Sequence, residues 1–268
     1  MTERKDWIGG KLVAAYNHVE RIHAEHTALV KSEDYGAVSD LNPDRGYLSV
    51  KVYGRRPPSP EWSIHAGEAL YQWRSALDHV ACLLAKERGE GAKDTTEFPI
   101  FLKREGFRNI DGTLTSGAKR DMSGISPEDQ AAIEREQPFN RANGTPEDDP
   151  LWLLYLLSNY DRHQFLHLID SAVWTGVTEF DPSWFAQHVT QIASNFGTFE
   201  GETEVSRFSI SYDGPQITVK VKNNVSFGIV FGQEGPAAGL NVIATLIAIG
   251  MRVTEIVGRL LGVSLPNN

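Results

Sequence analysis

The sequence is poor in cysteine and in positive charge. It contains one cysteine, Cys82, among 268 residues. One thiol cannot form an intrachain disulfide or a cysteine-rich zinc site, and we expect no disulfide-linked partner. Against 35 Asp and Glu there are 26 Lys and Arg, a formal net charge of −9. Domains that bind nucleic acid over their whole surface are usually basic, so only a local basic site is open to that function.

Long apolar runs are also missing. The longest uncharged part of the apolar C-terminal stretch, residues 235–251, begins with Gly-Pro and contains Asn241 and Thr245. It falls short of the ~20 predominantly apolar residues that a membrane span needs. The first residues are charged and lack the apolar core of a signal peptide. We therefore expect no membrane segment and a cytoplasmic protein, where a single reduced cysteine is usual.

The common fingerprints of nucleotide-binding and acyl-transfer enzymes are missing as well. There is no glycine-rich phosphate loop before Lys-Ser/Thr, no G-x-G-x-x-G after a strand and no G-x-S-x-G elbow. Cys82 lies among apolar neighbours in a helical stretch, which is typical of a small buried residue and not of a nucleophile. Candidate chemistry must therefore come from other groupings of polar residues.

Apolar residues at spacings of three and four predict four long helices. These helices cover residues 8–31, 61–86, 151–169 and 238–261. A short helix begins after Ser126, which can cap it, with Pro127 in the first turn. The first two turns of the third long helix are apolar on every side, which is typical of a buried helix. We expect it to pack in the core against the helix over 61–86.

Alternation of polar and apolar residues predicts the strands. They cover 46–56, closed by the proline-rich run 57–60, then 208–212, 216–222 and 225–231, with 172–180 as a further candidate. Asp213-Gly214 and Asn223-Asn224 are hairpin turn signals between the later strands. This order is not a βαβ alternation. It predicts an α+β fold in which three or four long helices pack together with an antiparallel β-meander, and the C-terminal helix closes the core.

The length allows one large domain or two small ones. We predict a single α+β domain over residues 1–268, because the strand at 46–56 can pair with the later meander. The alternative is a boundary near residue 171. It would divide a mainly helical part, 1–170, from a part, 171–268, that contains the meander and the last helix.

Two clusters of ionisable side chains interrupt otherwise apolar helices. The first is Arg74-Ser-Ala-Leu-Asp78-His79, and the second is Asn159-Tyr-Asp161-Arg162-His163, with His167 one turn later. Buried charge is costly unless it is paired or used. One interpretation is structural: Arg74 and Asp78 pair at i,i+4 and join Asp161 and Arg162 in an interhelical salt-bridge network. The protein would then be a non-catalytic binding or regulatory protein.

An arginine and a histidine that converge on a groove can also cleave RNA. Histidine is the side chain that ordinarily changes its charge near neutral pH, so His79 could move the proton of the 2′-hydroxyl or of the leaving group. The guanidinium of Arg74 can stabilise the charge that develops on the phosphorane oxygens. This chemistry needs no metal ion.

The run Arg74-Ser-Ala-Leu-Asp-His79 resembles the R-x4-6-H motif of HEPN-like helical domains. Together with Pro150-Leu-Trp-Leu-Leu and Asn159-Tyr-Asp-Arg-His163, the stretch 67–84 is also similar to a group of uncharacterised bacterial proteins. The resemblance implies a metal-independent endoribonuclease of the toxin or defence type, with RNA as partner and a homodimer whose cleft is built from two protomers. The candidate catalytic residues are Arg74, Asp78, His79, Asn159, Asp161, Arg162 and His163, without a cofactor.

A third interpretation uses a metal ion. His163 and His167 at i,i+4 would face the same way on a helix, a common arrangement for zinc ligands. His79 and either Asp78 or Asp161 could complete the site if the two helices are adjacent. The protein would then be a metal-dependent hydrolase that uses His79, His163 and His167.

Overall fold

A computed structural model describes residues 2–42, 46–54, 56–141, 144–177, 189–194, 197–199, 201–211 and 223–262. The long helices are α1 (Thr2–Val30), α2 (Pro60–Arg88), α6 (Pro150–Asp161) and α7 (Val242–Leu261). Three short helices lie between α2 and α6: α3 (Arg104–Phe107), α4 (Ser116–Asp121) and α5 (Pro127–Arg135). Single 3-10 turns cover Pro138–Asn140 and Pro146–Asp148.

Capping residues mark where three of these helices begin. The Ser59 hydroxyl accepts from the amide of Glu61, the second residue of α2, and the Ser126 hydroxyl accepts from the amide of Asp129, the third residue of α5. The Asp149 carboxylate accepts a hydrogen bond from the Leu151 amide at the start of α6. Each cap is followed by a proline at the first helical position. Since the first amides of a helix have no intrahelical partner, these short-range contacts set the helix starts.

The helical core is centred on α2, which packs against α1, α6 and α7. Trp73 and Leu77 of α2 are fully buried in it. A Cβ on Gly250 of α7 would lie 2.6 Å from Trp73 and 2.9 Å from Tyr16, so glycine allows the close approach of α7 to the other two helices. The expected packing of the helix that carries Arg74 against α6 is therefore confirmed. None of the helices described is long and apolar enough to cross a bilayer.

The described strands form two antiparallel sheets. They are β1 (Tyr35–Asn42), β2 (Tyr47–Gly54), β3 (Leu168–Val177), β4 (Val189–Ser194), β5 (Gly197–Thr198), β6 (Glu202–Ile210) and β7 (Asn223–Phe231). One sheet has the order β1-β2-β6-β4 and the other β5-β3-β7. The inner residues of β2 pack with Phe208 in a second apolar core, whereas Leu168 and Phe231 extend the helical core.

The α+β class is confirmed, and so is the pairing of the strand at 46–56 with a later one, since Tyr47 opposes Ser209. The antiparallel strands are divided between two sheets, because β3 and β7 pair separately from the sheet that contains β2. The spacing analysis also missed β1 and β4. Asn223-Asn224, read as a turn, begins β7, while the predicted strand 216–222 and the Asp213-Gly214 turn lie outside the described residues. The single-domain assignment stays a prediction.

Candidate functional site

Arg74 is held by carboxylates. Its Nη2 lies 3.2 Å from Asp78 Oδ1 and 3.6 Å from Glu97 Oε2, and its side chain is 18% exposed. The Phe98 amide donates to the same Asp78 oxygen at 3.0 Å. Burial raises the pKa of Asp78, and the Arg74 charge acts in the opposite direction. The guanidinium therefore connects α2 to the segment that contains Glu97, and its charge is compensated locally.

His79 lies on the next turn of α2 and is exposed. Its Nδ1 is 2.7 Å from the Ser75 carbonyl oxygen, so Nδ1 donates this hydrogen bond and Nε2 is the basic nitrogen. Within the part of the chain that the structure describes, no hydrogen bond or ion pair joins His79 to Arg74. Residues five apart on an α-helix lie on different sides of it, so Arg74 and His79 do not share one face of α2.

The second cluster is divided between the surface and the interior. Arg162 hydrogen-bonds to the Asn159 side chain, and both Arg162 and His163 are exposed. Asp161 lies against α2 instead and makes no ion pair with any described residue. The four-residue interhelical salt-bridge network is therefore not formed; of its expected links, only the pair between Arg74 and its i+4 carboxylate is present.

The helical placement expected for the metal ligands is wrong. Helix α6 ends at Asp161, a turn follows, and His167 directly precedes β3. His163 and His167 thus do not lie on successive turns of one helix, because the apolar residues after Asp161 enter the sheet, where Leu168 opposes Phe231. Among the described residues, no group of three His, Cys, Asp or Glu side chains is placed to hold a metal ion.

A large cavity lies between α2 and the beginning of β3. Its volume is about 1280 Å³, and its walls are one face of α2, the proline-rich segment 56–60 and residues 165–170. Phe165 is 91% exposed, and Ile64 and Tyr71 are each 61% exposed. Small-molecule sites are concave, mostly apolar and about 300–1,000 Å³ in volume. The cavity has the largely apolar lining of a ligand site, and its volume is larger than this usual range.

Two carboxylates that line this cavity, Glu68 of α2 and Asp161 at the end of α6, are close enough to interact electrostatically. Gly67 makes room for Asp161, since a Cβ there would lie 2.5 Å from Asp161 Oδ2. Burial raises the pKa of Asp161, and the negative charge of Glu68 raises it further. Neither carboxylate forms an ion pair with a described Lys or Arg. This part of the cavity is acidic, and no described Lys or Arg is paired with it.

A third carboxylate, Asp170 of β3, lies where the cavity meets the sheets. The Tyr35 hydroxyl donates to Asp170 Oδ2 at 2.6 Å. Asp170 is only 5% exposed, and its Oδ1 has no hydrogen-bond partner among the described residues. Burial raises the pKa of Asp170 from 3.8 to about 6, although the Tyr35 hydrogen bond lowers it. Buried carboxylates with raised pKa values are concentrated at functional sites.

Positive charge at the cavity is already paired. Arg56 is the one Lys or Arg among the lining residues described, and its Nε lies 3.0 Å from Asp34 Oδ2. His167 also lines the cavity and is exposed. With Arg56 paired to Asp34, the described lining contains the acids Glu68, Asp161 and Asp170 and no unpaired Lys or Arg.

Sequence reasoning assigned no role to Glu68 and missed Asp170 and Tyr35. It placed Asp161 in the salt-bridge network, among the catalytic candidates or at a metal site. One available signal was Asp170 itself, a lone acid directly after Leu168 and Ile169, which is unusual in a strand that enters a core. No protein-family model, curated protein or solved structure matches this chain. The geometry of the cavity and of the Arg74–His79 helix therefore carries the functional argument.

Proposed function

We propose that this protein binds a ligand that joins a cationic group to an apolar part, in the cavity between α2 and β3. The observation that carries the proposal is the lining, in which Glu68 and Asp161 form no ion pair with a described Lys or Arg while Arg56 is engaged by Asp34. Such a protein would be a non-catalytic binding protein, one of the functions that the sequence left open.

Two physical terms support binding of this kind. A cationic head group near Glu68 and Asp161 would replace the repulsion between two acids with charge-assisted hydrogen bonds, which are roughly twice as strong as neutral ones. An apolar tail would cover Phe165, Ile64 and Tyr71, and each Å² of apolar surface removed from water contributes about 25 cal/mol. A neutral or anionic ligand of the same shape would gain only the second term.

Isothermal titration calorimetry with three matched probes tests the proposal. Phenethylamine, phenethyl alcohol and hydrocinnamate carry the same ring on a cationic, neutral or anionic end. We expect measurable binding of the amine, weaker binding of the alcohol and none of the carboxylate. The titrations are done at physiological ionic strength, because salt screens the non-specific attraction between cations and a chain of net charge −9. Equal affinities for the amine and the alcohol would contradict the proposal.

Two charge-neutralising variants on the same helix locate the binding. Glu68→Gln should weaken binding of phenethylamine roughly tenfold, the effect of losing one charge-assisted hydrogen bond. Glu87→Gln removes an equal charge from an exposed position of α2 outside the cavity and should leave the affinity unchanged. Equal losses in both variants would mean that the protein attracts amines by net charge alone.

Metal-independent RNA cleavage at Arg74 and His79 is a second candidate, and the state of His79 favours it. Nδ1 donates to the Ser75 carbonyl oxygen, which orients the ring and leaves Nε2 as the nitrogen that can act as a general base. The ion pairs of Arg74 with Asp78 and Glu97 act against this function, because they compensate the charge that would stabilise a phosphorane.

Incubation of structured RNA with the protein in EDTA tests this candidate. Cleavage that yields 2′,3′-cyclic phosphate ends and falls by ~10²–10⁴-fold in His79→Ala would support it. Loss of cleavage in EDTA and recovery with zinc would support the metal-dependent alternative. Sedimentation velocity tests the homodimer that the resemblance implies, and a monomer would count against the nuclease. No cleavage under either condition would eliminate both catalytic candidates.

A further inference from the structure

Two histidine rings meet where α1 packs against α2. Nδ1 of His18 on α1 lies 3.1 Å from Nδ1 of His65 on α2, and the ring centroids are 5.2 Å apart. Such a contact needs one proton between the two nitrogens, because two facing lone pairs or two facing N–H groups repel each other. Nε2 of His65 is buried and has no hydrogen-bond partner among the described residues. The two rings are therefore each other's hydrogen-bond partners.

This histidine pair can bind one additional proton without losing its hydrogen bond. In the neutral pair one Nδ1 donates to the other, so the ring that donates has an unprotonated Nε2. A proton taken up there from solvent gives the pair a single positive charge, and the shared bond becomes charge-assisted. A second additional proton would place two N–H groups face to face at 3.1 Å. The pair thus changes its charge from zero to one in the slightly acidic range in which histidine ordinarily titrates.

Glu68 connects the histidine pair electrostatically with the cavity. It follows His65 by three residues on α2, so the two side chains are neighbours on the helix surface, and it also lines the cavity. Burial and His65 lower the pKa of His18, and the charge of Glu68 opposes that shift. Burial raises the pKa of Asp161, and Glu68 raises it further. The charge of Glu68 therefore acts both on the histidine pair and on the second carboxylate of the cavity.

Several positive charges on the helices that pack around the pair have other partners. These partners are Glu25 for Arg21, Gln72 for Lys11, and Glu136 for Arg252 and Arg259 of α7. Helix α6 contributes Asp161, and β1 contributes Asp40, whose charge acts on Lys51. Among the carboxylates, the one whose charge acts on His18 is Glu68. A positive charge on the pair is therefore compensated first by Glu68.

Building on the proposed amine binding, we infer that the His18–His65 pair regulates the cavity: uptake of one proton by the pair weakens the binding of a cationic ligand at Glu68. The positive charge of the protonated pair competes with the ammonium group of the ligand for the same carboxylate. Linkage requires the reverse effect as well, so that a cation bound beside Glu68 expels the proton from the pair. The protein would hold its ligand at neutral pH and release it in slightly acidic surroundings.

Calorimetric titration of the wild type and of His18→Gln with phenethylamine, at about pH 7.5 and about pH 5.5, tests the inference. The probe stays protonated at both values, since alkylammonium groups ionise near a pH of about 10. The cavity carboxylates also titrate, so the comparison is between the two proteins. We expect the affinity of the wild type to fall by roughly fivefold to tenfold more than that of His18→Gln, a usual size for coupling between two sites. Unchanged affinity of His18→Gln at about pH 7.5 reports that this variant is folded.

Two further variants separate the pair from the total charge of the protein. His65→Gln removes the other ring and should reduce the pH dependence as His18→Gln does. His23→Gln removes an exposed histidine of α1 outside the pair and should keep the pH dependence of the wild type. An equal loss of affinity in the wild type and in both pair variants, or an equal reduction in His23→Gln, would overturn the inference and leave amine binding intact. No binding of phenethylamine at about pH 7.5 would remove both.

Discussion

Replacing Asp170 with asparagine should stabilise the protein at neutral pH. Each pKa unit corresponds to about 1.36 kcal/mol, so a pKa raised from 3.8 to about 6 means that ionised Asp170 costs the folded state about 3 kcal/mol. Asparagine has no charge and keeps an oxygen that can accept from Tyr35. Its amide group adds a buried donor, which offsets about 1 kcal/mol. We therefore expect Asp170→Asn to raise the free energy of unfolding by about 2 kcal/mol at about pH 7.5.

The stability difference between Asp170→Asn and the wild type should depend on pH in a defined direction. Because the pKa of Asp170 is raised in the folded state, its protonated form stabilises the wild type at low pH. That contribution is lost as the pH rises from about 4 to above 6. The difference between Asp170→Asn and wild type should therefore be zero or slightly negative at about pH 4 and reach its full value above about pH 6.5.

Urea unfolding followed by far-ultraviolet circular dichroism at constant ionic strength measures this difference across the pH range. Tyr35→Phe is the matched control, because it removes the hydroxyl that lowers the pKa of Asp170. It should destabilise the protein more at neutral pH than at low pH, the opposite sign to Asp170→Asn. A destabilised Asp170→Asn at neutral pH, or a stability difference that does not change with pH, would refute the reasoning.

Three further outcomes follow from the contacts described. Gly67→Ala should displace Asp161, weaken phenethylamine binding and lower the free energy of unfolding by about 1–3 kcal/mol. The control Gly9→Ala, whose Cβ would have nothing within 4 Å, should leave stability unchanged or raise it slightly. Equal effects of the two substitutions would contradict the steric argument. Arg74→Ala leaves Asp78 and Glu97 without their cation, so we expect the free energy of unfolding in urea to fall by about 1–3 kcal/mol. An unchanged unfolding midpoint would show that these ion pairs contribute little to stability. Burial, and then the neighbouring His65, lowers the pKa of His18, so the free energy of unfolding should decrease as the pH drops below 6.5. His18→Gln should make that decrease smaller, which unfolding midpoints measured on both sides of pH 6.5 would show.

Several elements were predictable because short-range interactions determine them. The starts of α2 and α5 follow from a serine cap and a proline at the next position, contacts that span only a few residues. The same is true of β2, whose alternation places Leu48, Val50 and Val52 on one buried face. The repeat of apolar residues and the capping residues can both be read directly from the sequence.

The end of α6 was not predictable in this way. Apolar residues continue past Asp161 at helical spacing, but the segment after the turn enters β3, where Leu168 pairs with Phe231 more than sixty residues later. Pairing at that separation outweighs local propensity and has no local signature. The metal hypothesis placed His163 and His167 on that helix, but the helix ends at Asp161, before both residues.

The candidate site shows the same division. The sequence identified Arg74, Asp78 and Asp161 as charges that need a partner or a function, and for the first two it identified the partner, because i,i+4 is a local relation. That Asp161 would lie over Gly67 beside Glu68, and Asp170 beside Tyr35, depended on the packing of α2 against α6 and of the two sheets. A cavity is the space left between elements that are distant in the chain, so tertiary structure alone decides which charges line it.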